Sequence, residues 1–154
     1  MLKSKFLKKN FKEQLSPMDL KSILLENNIK PTIQRIQILE FLIKNKIHPS
    51  VDDIYVALEG KIPTLSRTTV YNTLNIFKEV NLVQFLTFEE NEIRFDVDLR
   101  PHAHLKCNVC DKVYDLNIET SMDFNGNIIE GHLVNETYIF FKGVCKDCLK
   151  KEHN

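Results

Sequence analysis

Residues 66–97, Ser66-Arg-Thr-Thr-Val-Tyr-Asn-Thr-Leu-Asn-Ile-Phe-Lys-Glu-Val-Asn-Leu-Val-Gln-Phe-Leu-Thr-Phe-Glu-Glu-Asn-Glu-Ile-Arg-Phe-Asp-Val97, decide the architecture. From about Ser66 to Glu79, the apolar residues Val70, Leu74 and Phe77 recur at i, i+4 and i+7, the stripe of an amphipathic helix. At about 100° per residue the opposite side carries Thr68, Tyr71, Asn72 and Asn75. Two strands follow, Leu82–Phe88 and Ile93–Val97, the second alternating through Ile93, Phe95 and Val97, joined by the charged turn Glu89-Glu-Asn-Glu92. Helices followed by a hairpin make a winged helix, in which the last helix lies in the major groove and the hairpin beside the backbone. The outward face suits that task. Thr and Tyr can rest on a thymine methyl, Asn can pair with an adenine edge, and Arg67 near the helix start can take a phosphate. On a lone helix an ordinary solvent face would account for these residues, although Tyr71 is an odd solvent residue. The acidic turn departs from the pattern, since a wing that touches phosphate prefers Lys or Arg.

Three helices precede this stretch. Ser16-Pro17 starts the first, with serine as N-cap and proline at the first helical position, then Leu20, Ile23 and Leu24 at core spacing and a stop near Asn27-Asn28. Pro31-Thr32 starts the second, with Ile33, Ile36, Leu39 and Ile43 along one side and the Lys44–Lys46 region at its C-terminal end, where cations suit the macrodipole. Pro49-Ser50 starts the third. Ser50-Val-Asp-Asp53 is an aspartate form of the capping box, Ile54, Ala57 and Leu58 face inward, and Gly60 closes it.

Residues 94–115 concentrate the metal-ligating side chains. Cys107-x-x-Cys110 lets two thiolates reach one tetrahedral ion from a tight knuckle, and Cys145-x-x-Cys148 answers it downstream, which uses all four cysteines of the chain. With no signal peptide or membrane-length apolar run in the basic N-terminus, a cytosolic location is expected, and there reduced thiols hold zinc rather than form two disulfides. His102-x-His104, with Asp96 before and Asp115 after, is a mixed nitrogen and oxygen set that suits iron, manganese or zinc. Each histidine also has a plain reading, as a residue of an exposed loop or hinge; His132 and His153 keep that reading.

The 154 residues are 43% hydrophobic and 27% charged, the range of a soluble globular chain of one or two small domains. The net charge is zero, which argues against a strongly basic nucleic-acid binder, but residues 1–50 hold nine Lys and one Arg against four acids, a local excess of +6. Such a segment could meet phosphates or be a solvated lysine-rich tail; charge leaves both open. Beyond Arg100-Pro101 the pattern shifts to short strands, Ala103–Lys106, Lys112–Asn117 and Glu136–Lys142, with a helix between Thr120 and Glu130. A domain of about fifty residues seldom folds alone, so a structural metal and dimerisation by strand pairing, with Tyr138-Ile-Phe-Phe141 as the apolar strand, are the expected remedies. No repeat, glycine-rich phosphate loop or nucleophile motif is present. The expected fold is α+β, with an N-terminal extension and winged-helix DNA-binding domain over 1–98. A hinge and small α/β dimerisation domain with structural zinc follow over 99–154.

From about Ile29 to its end, the sequence resembles the ferric uptake regulator (Fur) family, and within it the peroxide-sensing PerR branch. The resemblance is carried by Lys30-Pro-Thr-Ile-Gln-Arg35, His48-Pro-Ser-Val-Asp-Asp-Ile-Tyr55, Ser66-Arg-Thr-Thr-Val-Tyr-Asn-Thr-Leu74 and Arg94-Phe-Asp96. It continues through the His102/His104 and Cys107/Cys110 run, Asp115, and Gly143-Val-Cys145-x-x-Cys148. It implies a homodimeric repressor that binds a palindromic AT-rich operator, with Lys30, Arg67, Thr68, Tyr71 and Asn72 at the DNA. It also implies structural Zn(II) in Cys107, Cys110, Cys145 and Cys148, and regulatory Fe(II) or Mn(II) in His48, Asp96, His102, His104 and Asp115. A metal held from both domains would fix the spacing of two recognition helices, which must match half-sites about 34 Å apart. The choice of branch rests on Asp96, where iron-uptake regulators tend to have glutamate. It implies five ligands and an open position at which peroxide meets Fe(II), with His48 or His102 oxidised. Two departures stand out: Ala103 lies where many relatives have aspartate, and the strand at Thr137 has no histidine for a further metal site. The extension before Ser16 has no counterpart in the resemblance.

Three other functions fit parts of the sequence. An iron-responsive repressor of metal-uptake genes shares every motif except Asp96. A non-haem metalloenzyme shares the His and Asp set, but no motif for a second substrate accompanies it, and turnover with a co-substrate would identify it. A zinc-stabilised protein-interaction module shares the cysteines, and a salt-dependent shift with duplex DNA would count against it.

Overall fold

The computed structural model describes residues 16–89, 92–100, 102–118 and 124–152, and divides the chain into two units, Met1–Leu99 and Arg100–Asn154. The basic extension, the middle of the acidic turn and His153 lie outside the described residues. In the first unit, helix α1 (Pro17–Glu26) starts as its residues dictate. The Ser16 hydroxyl accepts from the Asp19 N–H at 3.3 Å while the Asp19 carboxylate accepts from the Ser16 N–H at 2.8 Å. It buries Leu20 and Leu24, and the chain leaves it through Asn28 in a left-handed conformation (φ 60°). Helix α2 (Ile33–Lys44) is capped by Thr32. Its buried residues are Ile38, Leu39 and Leu42, with Ile36, Phe41 and Ile43 at the margin, whereas Ile33 is 71% exposed. The expected stripe through Ile33 is therefore displaced. Helix α2 packs against α1 and two later helices, so its buried arc is wide and centred away from the residue that opens its first turn.

Helix α3 (Val51–Leu58) carries the Ser50–Asp53 capping box and buries Ile54 and Leu58. Ala57 is exposed, contrary to expectation, because the inward stripe runs through Val51, Ile54, Tyr55 and Leu58 at i, i+3, i+4 and i+7. The helix closes on Glu59 in a right-handed conformation, so Gly60 is not the left-handed cap its position suggested. Helix α4 (Arg67–Glu79) is capped by Ser66 and buries Val70, Leu74 and Phe77 together with Thr73. The hairpin follows, β1 (Gln84–Glu89) antiparallel to β2 (Glu92–Asp96), with Phe85 facing Phe95 and a register shift between Thr87 and Glu89. The alternation expected over Ile93–Val97 gives way at its end, where Phe95, Asp96 and Val97 are all buried. Helix and hairpin share one core of Leu20, Ile38, Ile54, Val70, Phe77 and Phe95 among others. Arg94 ties β2 to α3 through Asp53 at 3.2 Å and also pairs with Glu92 at 2.7 Å.

In the second unit, β3 (Ala103–Cys107) is the middle strand of a three-stranded sheet. Strand β4 (Val113–Leu116) lies antiparallel on one side, and β7 (Ile139–Gly143) parallel on the other. Between them β5 (Ile128–Ile129) and β6 (His132–Leu133) form a small hairpin. The helix expected from Thr120 to Glu130 is not formed over 124–130; residues 120–123 lie outside the described set. The reason is local. Gly126 adopts φ 78° in a turn, and Glu130 and Gly131 adopt φ 49° and 86°, the paired positive angles of a two-residue hairpin turn. A short helix, α5 (Lys146–Glu152), closes the described chain and was not anticipated.

Candidate metal centres

The four cysteines converge from two strand ends. Strand β3 delivers Cys107, and a tight turn through Asp111 (φ 61°) brings Cys110 back beneath it. Cys145 follows β7, and the first turn of α5 presents Cys148. The junction is braced by the Asn108 N–H, which donates to the Gly143 carbonyl at 2.7 Å. One sulfur from each cysteine lies within 4.8 Å of every other, and none is in a disulfide. Four thiolates about 2.3 Å from a tetrahedral ion stand about 3.8 Å apart. Cys110 and Cys145 have their sulfurs 3.8 Å apart, so the donor set fits zinc in size and chemistry.

Hydrogen-bond donors surround these sulfurs. Backbone N–H groups of Val109 and Cys145 donate to Cys107 Sγ at 3.4 and 3.3 Å. The Cys110 N–H, followed by those of Cys145 and Val109, holds the Cys107 thiol below its ordinary pKa. The Tyr114 hydroxyl donates to Cys145 Sγ at 3.4 Å and is the main reason that thiol is lowered to about 6. Cys148, which shares its proton with Cys145 and is buried, is pushed up to about 12.

The His and Asp residues fall into two sets, one in each unit. In the first, His48 sits in the loop before α3 with a left-handed backbone (φ 49°), and its Nε2 is 3.8 Å from Asp96 Oδ2, both side chains buried. The loop is held to β2 by the Phe95 N–H, which donates to the Pro49 carbonyl at 3.1 Å. Asp96 is oriented by the Gln84 amide at 2.9 Å and the Asp98 N–H at 2.8 Å. In the second, His104 on β3 lies across from Asp115 on β4, and Asp115 Oδ1 is 3.2 Å from His102 Nε2 and 3.7 Å from His104 Nε2. His102 Nδ1 is 2.7 Å from the Arg100 carbonyl. A carbonyl can only accept, so that nitrogen carries a proton, and Nε2 is the ring atom turned toward Asp115. Imidazole nitrogens and carboxylates in this arrangement suit a borderline divalent ion. Gln84 and Tyr114 escaped the sequence reading; the hairpin register, which pairs Gln84 with Asp96, could have found the first.

On α4, Thr68, Tyr71 and Asn72 are exposed, Tyr71 by 44% despite its size. Arg67 is already engaged, ion-paired with Asp52 and lying 4.2 Å over the Tyr55 ring. Lys30 is exposed beside α2, and its carbonyl accepts from Arg35 at 2.9 Å. No helix among the described residues is long and apolar enough to cross a membrane.

Known proteins resemble this chain in sequence and fold. The model of the ferric uptake regulator family matches residues 26–137. The chain belongs to the ferric uptake regulator family. This Fur-family chain is 38% identical over 105 residues to the peroxide operon regulator of Bacillus subtilis, across 67% of its own length and 72% of the relative's. It is 35% identical over 109 residues to the peroxide-responsive repressor PerR of Staphylococcus epidermidis, across 67% and 69%. The solved peroxide stress regulator of Campylobacter jejuni superposes with a TM-score of 0.60 at 26% identity, covering 88% of this chain and 100% of that one.

Proposed function

We propose that this Fur-family chain is a metal-dependent transcriptional repressor that senses hydrogen peroxide through oxidation of a histidine ligand, and so controls oxidative-stress genes. The observation that carries the reading is Asp96, an aspartate rather than a glutamate, oriented by Gln84 and Asp98 beside His48 in a chain most of whose length aligns with peroxide-responsive relatives. In this reading Cys107, Cys110, Cys145 and Cys148 hold structural zinc. His48, Asp96, His102, His104 and Asp115 serve one regulatory Fe(II) or Mn(II). Bound Fe(II) supplies the electron that reductively cleaves peroxide, which Mn(II) does not readily supply. The chain's own groups do the rest. Asp96 and Asp115 contribute charge, the Arg100 carbonyl holds His102 in the ligating tautomer, and the imidazoles of His48 and His102 are the groups that take up oxygen.

Thr68, Tyr71 and Asn72 face bases in a palindromic AT-rich duplex, and Lys30 meets phosphate or the minor groove. Arg67 takes a phosphate once it leaves Asp52. The protein works as a cytoplasmic homodimer, and it is consumed by its own oxidation rather than turning over as an enzyme. The exposed aromatic residues of β7, an edge strand among the described residues, support strand pairing as the dimer contact.

The test compares metal forms. Fe(II)-loaded protein should bind its operator and lose it after low peroxide, with one oxygen atom gained by the peptide of His48 or His102. Mn(II)-loaded protein should bind equally and ignore peroxide. Asp96→Glu should keep metal-dependent binding and blunt the peroxide response. DNA release that tracks zinc loss while both histidines stay unmodified would sink the proposal and favour the iron-responsive repressor.

A further inference from the structure

Tyr114 stands out because nothing in the metal or DNA chemistry described above requires a phenol there. It lies on β4 opposite Leu105, next in sequence to Asp115, with its ring packed on the cysteine cluster. Its hydroxyl donates to Cys145 Sγ at 3.4 Å and stands 3.9 Å from Cys110 Sγ. A hydroxyl has one proton to give, and here it points at Cys145. Cys107 draws its donors from the backbone, two of them at 3.4 and 3.3 Å, and no side-chain change removes them. Tyr114 is thus a side-chain donor placed where a single substitution can take it away.

We propose that the Tyr114 hydroxyl is a positioning residue that shields the zinc thiolate of Cys145 from hydroperoxide and keeps zinc loss slow. This rests on the reading of the four cysteines as a zinc site. Four thiolates around one divalent ion leave a net charge of −2 on the cluster, so its sulfurs remain nucleophilic unless hydrogen bonds draw on their lone pairs. The reaction it opposes is defined. A thiolate sulfur attacks one peroxide oxygen, the O–O bond breaks as the S–O bond forms, and the departing hydroxide takes a proton to become water. The sulfur is oxidised and the peroxide reduced by the same electron pair, and the sulfenic acid then condenses with a second cysteine thiol to a disulfide, expelling water. Each such disulfide removes two ligands and frees the metal. A donor on Cys145 makes its lone pair less available for the first step, so peroxide at signalling levels acts elsewhere before it reaches the structural site.

The experiment uses full-length zinc-loaded protein with the regulatory site left without iron, so that no histidine oxidation contributes. Zinc release under hydrogen peroxide is followed with a chromogenic chelator, and the order of cysteine oxidation by alkylation and peptide mass. Tyr114→Phe keeps the ring and deletes the hydroxyl. It should bind zinc one to one before oxidant and then release it several-fold faster, with Cys145 moving to the head of the oxidation order. In the unaltered protein Cys110 and Cys148 should be oxidised ahead of Cys145. Equal release rates for the two proteins overturn the proposal and leave the zinc reading intact. Cys145 oxidised first in the unaltered protein overturns it without recourse to any variant. An unaltered protein that carries no zinc overturns both.

Discussion

Single residues carry the two best-defined energetic features of the chain. Cys148→Ser takes one sulfur from a buried four-thiol cluster in a unit whose largest described sheet has only three strands. Metal binding to such small domains is worth on the order of 10 kcal/mol, most of it folding free energy, so the variant should lose zinc and unfold its second unit. Metal analysis and circular dichroism check this, and a stable zinc-free fold would contradict it. The second feature is Asp19, whose carboxyl is held below the usual range by the Ser16 hydroxyl and then by the Ser16 N–H. A folded value below the unfolded one means that this contribution is fully present above the ordinary carboxylate pKa. It is lost as pH falls through the lowered folded value. Hydrogen exchange at the α1 amides should therefore separate the wild type from Asp19→Asn near neutral pH, and the gap should close at acid pH. Both sites could be read from sequence because their geometry is local. A cap and its partner, like the two sulfurs of a C-x-x-C pair, lie three positions apart in the chain. The donor that Tyr114 supplies to Cys145 was not legible, because it comes from a distant strand, whereas that of Gln84 to Asp96 follows from the hairpin register.

Among the elements, α4 is where a sequence stripe has become a surface. Its buried side is Val70, Thr73, Leu74 and Phe77, which leaves Thr68, Tyr71 and Asn72 to solvent. Tyr71→Ala and Asn72→Ala should each cost about 1–3 kcal/mol of operator affinity where they touch bases, with dimerisation unchanged. Titration against the cognate duplex at fixed salt measures it, and unaltered affinity in both variants would remove α4 from the DNA. Arg67 adds a condition. While Asp52 holds it, Arg67 is not available to phosphate, so Asp52→Asn should raise non-specific duplex affinity at low salt. Periodicity located the four helices of the first unit yet misplaced parts of α2 and α3, where Ile33 and Ala57 were expected in the core and are exposed. A stripe reports that a helix is amphipathic, but its centre is set by how many neighbours pack on it. The failed helix around residues 124–130 has a different cause, since three positive-φ residues there favour turns over any helical run.

For the whole molecule, the second unit leaves an account open that a partner would close. Among the described residues strand β7 is a sheet edge, with Phe140 and Phe141 exposed by 37% and 43% and Tyr138 stacked on Phe140. An apolar edge of this kind seeks another strand. Phe141→Glu should therefore shift the protein to monomer in sedimentation velocity while retaining its zinc, and a persistent dimer would place the interface elsewhere. The sequence alone determined which residues can cap, which can ligate and where the four helices of the first unit run. It also carried the family resemblance, because all of these depend on residue type and short spacing. Only the tertiary structure decided that Asp96 turns inward beside His48, that Asp115 stands across from His104, that Arg67 is held by Asp52, and that a phenol rests on Cys145. Those are meetings between residues distant in the chain, and only packing and strand register bring such groups together.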